Sequence, residues 1–423
     1  MNASSSNDKR SSEQEAFLGL LFQKHGEWIE AREHWLQALS LNQEVGNNPG
    51  IAQAACNLGL VLEKLGEVED AYQYLQTALQ IYRQLNDPNG IPITLNNFGL
   101  LFKRQGKMEA AFDYFEQARL LFADQENLAG AAAVLGNIAG AYQLQGNLDA
   151  AESYYREAMK LYERIEDIAN QATVLLNLGT LDHARGQSSD ALEKYKKALE
   201  NFADIEDKEG SIEALGNMGR LMSDLGDQEL ARHYYEQALE SSRGISDQRL
   251  EAINLSRLGK LFQEIGEAER AIEFLQQALL IQEELGYLPD EAGTWSSLGS
   301  IFQDQGELIK AFEASQQALV LHDVVSDQEG WARDLNDLAL IYQTWGRFDR
   351  TYDLLHRALR VNQTKGFLRP ASLNLGNLGL LFLEQGKLAD ALEFCSRALR
   401  MARETGFRLA EAHQLNNIGL IYQ

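Results

Sequence analysis

Apolar side chains recur every three to four residues along almost the whole chain, a spacing that predicts α-helices. In one representative stretch, residues 57–82, Leu58 and Leu62 place an apolar face on a first helix. Gly66 ends that helix, since glycine readily adopts the left-handed conformation that often follows a helix. The apolar stripe of a second helix begins at Ala71, and it is wide enough to be buried against other helices. The stretch therefore predicts two helices joined by a short turn.

This helix pair returns at intervals of forty residues. Small residues mark the middle of each first helix, where the two helices must cross closely. The helix-ending glycine occurs in every complete copy: Gly26, Gly66, Gly106, Gly146, Gly186, Gly226, Gly266, Gly306, Gly346 and Gly386. A fixed period of this kind indicates a solenoid that grows by stacking. The sequence contains ten complete repeats and the start of an eleventh that stops at Gln423.

The residues Leu58-Gly59, Leu62, Gly66, Ala71, Tyr74 and Ala78, with their equivalents along the chain, resemble the pattern of tetratricopeptide repeats. The unit is longer than the usual repeat of about 34 residues, and the proline that usually closes the second helix is absent. Repeats of this longer type resemble those of kinesin light chains, Pins-type adaptors and bacterial Rap and PlcR-type regulators. The resemblance implies an all-α, right-handed superhelical solenoid of helix-turn-helix repeats.

The repeat pattern divides the chain into two predicted segments. Residues 1–11 are polar and rich in serine, and we expect them to form a disordered leader. Residues 12–423 form the predicted solenoid, with the last repeat incomplete.

Acidic side chains outnumber basic ones, with 62 Asp and Glu against 38 Lys and Arg and a net charge of −24. Such a charge repels nucleic acid and anionic membrane surfaces, so we expect neither as a partner. Cys56 and Cys395 lie too far apart in sequence to indicate a disulfide framework, which fits a reducing compartment. No apolar run approaches the length of a membrane span, and the N-terminal segment lacks the apolar core of a signal peptide. We expect a cytoplasmic protein without membrane insertion.

The sequence shows no spacing typical of a catalytic or metal site. None of the seven histidines has a second one at the four-residue spacing of a helical zinc site. The glycine-rich segment from Gly216 to Gly219 lies inside a predicted helix, whereas phosphate-binding loops follow a strand. We therefore expect no enzymatic activity and no cofactor or metal.

Asparagine recurs two residues before the glycine in the middle of most first helices. This position lies about 100° around the helix from the apolar face. The resemblance to tetratricopeptide repeats implies that it lines a concave groove, where amides would bond the backbone of a peptide. Basic residues join the groove near its middle. The predicted groove residues are Asn57, Asn97, Asn137, Asn177, Asn217, Arg220, Arg257, Lys260 and Asn377.

A structural interpretation of these residues remains open. The asparagines would then bond to adjacent helices and hold the repeat spacing, since half-buried amides are often structural. The basic residues would pair with local acids such as Glu213 or Glu264.

The sequence thus predicts a scaffold or adaptor that binds a peptide or a helical segment of a partner protein in the groove. One alternative is the sensor or regulatory arm of a larger signalling protein with a C-terminal effector domain. Another is an assembly factor that self-associates through the apolar face of the incomplete last repeat, residues 416–423.

Overall fold

The computed structural model describes the backbone of residues 2–422 and the side chains of residues 11–422. Over this range the chain is all-helical and its helices follow one another in pairs. The helices are α1 (Asn2–His25), α2 (Trp28–Glu44), α3 (Asn48–Leu65), α4 (Val68–Leu85), α5 (Gly90–Arg104), α6 (Met108–Asp124), α7 (Leu128–Leu144), α8 (Leu148–Arg164), α9 (Ile168–Ala184), α10 (Ser188–Asp204), α11 (Lys208–Asp224), α12 (Gln228–Gly244), α13 (Gln248–Ile265), α14 (Ala268–Leu285), α15 (Leu288–Asp304), α16 (Leu308–Val324), α17 (Gln328–Thr344), α18 (Phe348–Lys365), α19 (Leu368–Glu384), α20 (Leu388–Glu404) and α21 (Arg408–Ile421).

The first helix of each pair is called the A helix below, and the second is called the B helix. Ten such pairs are complete in the described chain, and α21 is the A helix of an eleventh. This arrangement confirms the predicted all-α fold of ten repeats and the start of another. None of the described helices combines the length and the apolar character needed to cross a lipid bilayer.

The described residues divide into two compact units. Unit 1 runs to Gly266 and includes Glu284–Gly286, so it holds α1 to α13. Unit 2 holds Glu267–Glu283 and the chain from Tyr287 onward, which includes α15 to α21. The forty-residue period continues across this division, and the predicted single domain over residues 12–423 stays a prediction.

The predicted leader, residues 1–11, falls almost entirely outside the described side chains. The backbone of α1 begins at Asn2. Side-chain packing is described from Ser11, which is exposed, and Ser12 is the first buried residue. The disorder of the leader stays a prediction.

Left-handed glycines end the A helices, as the sequence predicts. The ten glycines from Gly26 to Gly386 have φ angles between +69° and +86°. A side chain is strained in this conformation, which explains why glycine recurs there without a gap.

The B helices also end in a left-handed residue, and the sequence pattern did not reveal it. The φ angle lies between +52° and +78° at Gly46, Asn86, Glu126, Glu166, Glu206, Ser246, Gly286, Ser326, Gly366 and Gly406. Six of these residues carry a side chain, and each such residue costs on the order of 1 kcal/mol in this conformation. Because these residues are not all glycine, a recurring glycine does not mark the ends of the B helices in the sequence.

The A and B helices of a pair cross at the small residue in the middle of the A helix. A Cβ atom built on Gly179 would lie 2.7 Å from the Tyr195 ring and 3.3 Å from the carbonyl oxygen of Ala191. Likewise, a Cβ atom built on Gly59 would lie 2.5 Å from the Leu75 side chain. Tyr195, Leu75 and Ala191 are fully buried. The small residues are therefore required by the close approach of the two helices.

The A helix of the last described repeat exposes several apolar side chains. Leu409, Leu415, Leu420 and Tyr422 are 61%, 48%, 46% and 74% exposed. Self-association through this surface stays a prediction.

We predict opposite effects of alanine at two A-helix glycines. Gly179→Ala should lower the free energy of unfolding by about 1 to 3 kcal/mol, because the added methyl group overlaps the Tyr195 ring. Gly136→Ala should raise it by up to about 1 kcal/mol, because a Cβ there has no neighbour within 4 Å and alanine favours helix. Urea denaturation followed by circular dichroism measures both. Equal effects would contradict the proposed crossing.

Candidate functional site

Except for Asn377 of α19 in unit 2, the predicted groove residues lie on one surface of the A helices of unit 1. It is formed by the asparagine position, the residue four before it and the residue three after it, which share one side of a helix. In α9 these residues are Thr173, Asn177 and Thr180, and all three are exposed or half-buried. This surface of unit 1 is called the A-helix face below.

Three of the asparagines are bonded to the preceding repeat. The acceptor in each case is the residue just before the asparagine position in the preceding repeat. The bonds are Asn97 Nδ2 to Cys56 Sγ at 3.4 Å, Asn137 Nδ2 to Asn96 Oδ1 at 2.8 Å and Asn377 Nδ2 to Asn336 Oδ1 at 2.8 Å. These amides therefore link consecutive A helices, as the structural interpretation of the sequence requires.

Asn177 and Asn217 differ from these three. The residue at the acceptor position is Gly136 for Asn177 and Leu176 for Asn217, and neither has a polar side chain. Both asparagines are half-buried, and neither side chain forms a hydrogen bond with the described residues. Asn57 instead donates to the carbonyl oxygen of Gln53 in its own helix, at 3.0 Å. The amides of Asn177 and Asn217 are therefore available to a ligand.

Arg257 takes the place of asparagine in α13, and its side chain extends toward the preceding repeat. A Cβ atom on Gly216 would overlap Arg257 Nη1. The same nitrogen donates to Asn254 Oδ1 at 3.1 Å. Gly216 thus provides the space in which the guanidinium group lies.

The two other basic groove residues occupy the position three after the asparagine. Arg220 of α11 and Lys260 of α13 are both exposed. Burial raises the pKa of Glu213, whereas Arg249 and Arg257 lower it. Glu213 is therefore an electrostatic neighbour of Arg257, and the pairing of the basic groove residues with local acids stays a prediction.

Three consecutive B-helix tyrosines bring hydroxyl groups toward the A helices. Tyr155 donates to Gln143 Oε1 at 3.4 Å, and the Tyr195 hydroxyl lies 3.3 Å from Thr180 Oγ1. Burial raises the pKa of Tyr235 to about 12, and the nearby guanidinium groups of Arg220 and Arg257 oppose this rise.

Sequence reasoning missed these tyrosines because they occupy the core position opposite the small residue at the helix crossing. Their recurrence at the forty-residue spacing in three adjacent repeats was the available signal.

In unit 2 the asparagine position of α17 is occupied by Asp337. Burial, and next the charge of Asp334 one turn earlier, raise the pKa of its carboxyl group to about 6. A hydrogen bond from Asn336 and the charge of Arg333 act in the opposite direction.

Asp334 itself belongs to a buried polar cluster. Its Oδ1 accepts a hydrogen bond from Ser296 Oγ at 2.8 Å, and its Oδ2 lies 2.6 Å from His322 Nδ1. His322 and Asp334 are 2% and 0% exposed. The cluster joins three consecutive helices, α15 to α17, and lies too deep in unit 2 to meet a ligand. No cluster of His, Cys, Asp and Glu side chains within residues 11–422 is arranged to hold a metal ion.

We predict that Asp337→Asn stabilises the protein in a pH-dependent manner. Because folding raises the pKa of Asp337, its ionisation opposes folding as the pH rises from about 4 to about 6. The variant should therefore equal the native protein in stability near pH 4 and exceed it by about 1 to 3 kcal/mol above pH 6. Urea denaturation across this range measures the difference. A difference in stability that does not change with pH would contradict a raised pKa of Asp337 in the folded protein.

Models of one repeat family match most of the sequence. Two models described as tetratricopeptide repeat match this chain, the first over residues 14–83, 50–122, 130–204 and 210–284 and the second over residues 336–404. No curated protein matches the chain in sequence.

Several solved structures are similar to the chain in fold. A Rap protein complexed with competence and sporulation factor has a TM-score of 0.57 and 16% identity, over 84% of this chain and 98% of that chain. Yeast Tom70 has a TM-score of 0.51 and 14% identity, over 96% of both chains. The Rap conjugation gene regulator of plasmid pLS20, in complex with the Phr* peptide, has a TM-score of 0.51 and 15% identity, over 74% of this chain and 96% of that chain. Identities this low establish a shared fold alone.

Proposed function

This chain belongs to the tetratricopeptide-repeat family, and we propose that it is a scaffold or adaptor that binds a peptide or helical segment of a partner protein on the A-helix face of unit 1. The observation that carries the proposal is the pair of half-buried amides, Asn177 and Asn217, that have no hydrogen-bond partner among the described residues. The proposed activity is binding, without a catalytic step.

The chemistry of these amides suits a peptide. Each offers two N–H donors and a carbonyl acceptor, which complement the C=O and N–H groups of a backbone. Half-buried amides lose part of their hydration, so a ligand that bonds them has less water to displace. Asn97 and Asn137 are already bonded to the preceding repeat and have less to offer.

The surface next to Asn177 leaves room for a ligand. A Cβ atom on Gly136 would meet nothing within 4 Å, and on Gly140 it would meet only the Tyr155 hydroxyl, at 3.7 Å. The α7 part of the A-helix face is therefore open, and a ligand backbone can approach the helix closely there.

Two of the similar structures hold a bound partner, and in one of them that partner is a peptide. The plasmid pLS20 regulator is a complex with the Phr* peptide, and the Rap protein is a complex with competence and sporulation factor. These likenesses concern the fold, so the residues proposed here rest on their own contacts.

A pair of double variants tests the proposal. Peptides selected from a random library on the native protein should bind Asn177→Ala/Asn217→Ala about tenfold or more weakly, because two hydrogen bonds are lost. The thermal stability of this variant should stay close to native, since neither amide is bonded within the protein. Fluorescence anisotropy with labelled peptides measures the affinity.

Asn97→Ala/Asn137→Ala is the matched control. It should bind the peptides within a few-fold of native but unfold more easily, by about 1 kcal/mol for each lost bond between repeats. Gly136→Asn supplies the acceptor that Asn177 lacks, and it should weaken binding without removing the amide. Unchanged affinity in the Asn177/Asn217 variant would place the binding surface elsewhere.

A further inference from the structure

We propose that the first repeat of unit 1 forms a clasp against the seventh repeat, and that three acidic side chains at this contact make the clasp close more firmly in acid. The clasp is the segment 24–30, which contains the turn between α1 and α2. The acidic cluster at the contact consists of Glu27, Glu30 and Asp247. The proposal concerns the curvature of unit 1 and does not depend on the proposed function.

Two turn glycines of unit 1 touch residues that lie six repeats away. A Cβ atom built on Gly26, which follows α1, would lie 2.5 Å from Arg249 Cδ at the start of α13. A Cβ atom built on Gly286, which follows α14, would lie 2.4 Å from Ile29 Cδ1 in α2. Both pairs lie within unit 1. The clasp therefore packs against the beginning and the end of the seventh repeat.

The corresponding glycines of other repeats have no such neighbours. A Cβ atom would meet nothing within 4 Å at Gly106, Gly146, Gly186, Gly226, Gly266, Gly306, Gly346 and Gly386, or at Gly46, Gly366 and Gly406. The contacts of Gly26 and Gly286 arise because unit 1 turns back on its own first repeat. Since α3 to α12 lie between the two ends, the clasp fixes the curvature of this stretch of the A-helix face.

Buried carboxylate oxygens at the contact oppose its closure. Asp247, at the N-terminus of α13, is 8% exposed. Its Oδ1 accepts a hydrogen bond from the backbone N–H of Leu250 at 2.9 Å, but its Oδ2 is buried without a hydrogen-bond partner among the described residues. Oε2 of Glu30 is buried in the same way. Burying an unpaired carboxylate oxygen is unfavourable, so these acids weaken the packing that holds the clasp.

The charges of the cluster act on one another across the contact. Burial, and next the charge of Glu30, raise the pKa of Glu27. The charge of Asp247 raises it as well, whereas His25 lowers it. Because Asp247 belongs to the far side of the contact, closing the clasp makes Glu27 easier to protonate. Closure therefore gains stability as the pH falls through the raised pKa, and the gain is complete below the ordinary value of about 4.3.

Further charged groups surround the cluster. A cavity of about 440 Å³ lies beside the clasp. Its charged lining comes from three turns of unit 1 and consists of Lys24, His25, Glu206, Asp207, Lys208, Glu209 and Asp247. Of these groups and Arg249, only the acids and His25 change charge between about pH 4 and 7. A variant of Glu27 separates its effect from that of His25.

Förster transfer between two dyes measures the closure. The dyes are attached to cysteines introduced at Gln37 in α2 and Gln237 in α12, which are both exposed. The native cysteines, Cys56 and Cys395, are buried and react more slowly. In the native protein the transfer efficiency should rise as the pH falls from about 7.5 to about 4.5, because protonation of the acids favours closure.

Two variants assign the effect. Glu27→Gln should show the high transfer efficiency already at neutral pH and lose most of the pH dependence. Ile29→Ala removes the contact with Gly286 and should lower the efficiency at every pH, with the helical circular dichroism unchanged. Glu307→Gln is the matched control, because Glu307 holds the same position of its repeat in unit 2, and it should behave as the native protein does.

Three results would overturn the proposal. The first is a transfer efficiency of the native protein that does not change with pH. The second is a pH dependence that persists in full in Glu27→Gln, which would assign it to other groups. The third is an efficiency in Ile29→Ala equal to that of the native protein throughout the pH range, which would show that the contact does not hold the repeats together.

Discussion

The close crossing of the two helices in each repeat is the constraint on which the rest of this protein depends. A large side chain from the B helix, such as Tyr195 or Leu75, packs directly on a glycine of the A helix. Left-handed residues at both helix ends reverse the chain so that this contact recurs every forty residues. Because the contact takes up one side of each A helix, the opposite side of the A helices in unit 1 is left to form the A-helix face.

A second contact joins neighbouring repeats. It determines whether an asparagine on that surface bonds within the protein or is available to a ligand. An asparagine that finds a polar residue on the preceding A helix bonds to it, as Asn137 does to Asn96. Asn177 and Asn217 have Gly136 and Leu176 at the acceptor position instead. They therefore have no such partner, and their amides are available to a ligand. The same residue type therefore serves structure in some repeats and, in our proposal, recognition in others.

Much of the fold was predictable because it depends on local patterns. Apolar spacing gave the helix pairs, and glycine marked the end of each A helix. The ends of the B helices were missed because residues such as Glu126 and Ser246 adopt the same left-handed conformation. The asparagine position was also predictable, but its bonding depends on a residue about one repeat away. The hydroxyl groups of Tyr155, Tyr195 and Tyr235 were hidden because their rings occupy core positions.

Nuclear magnetic resonance of the side-chain amides, with 15N placed only in asparagine, tests the central claim most directly. On addition of a peptide selected on the native protein, the Nδ2 signals of Asn177 and Asn217 should shift. Those of Asn97 and Asn137, which are held by the preceding repeat, should stay in place. Shifts of Asn97 and Asn137 without any change at Asn177 and Asn217 would contradict the account.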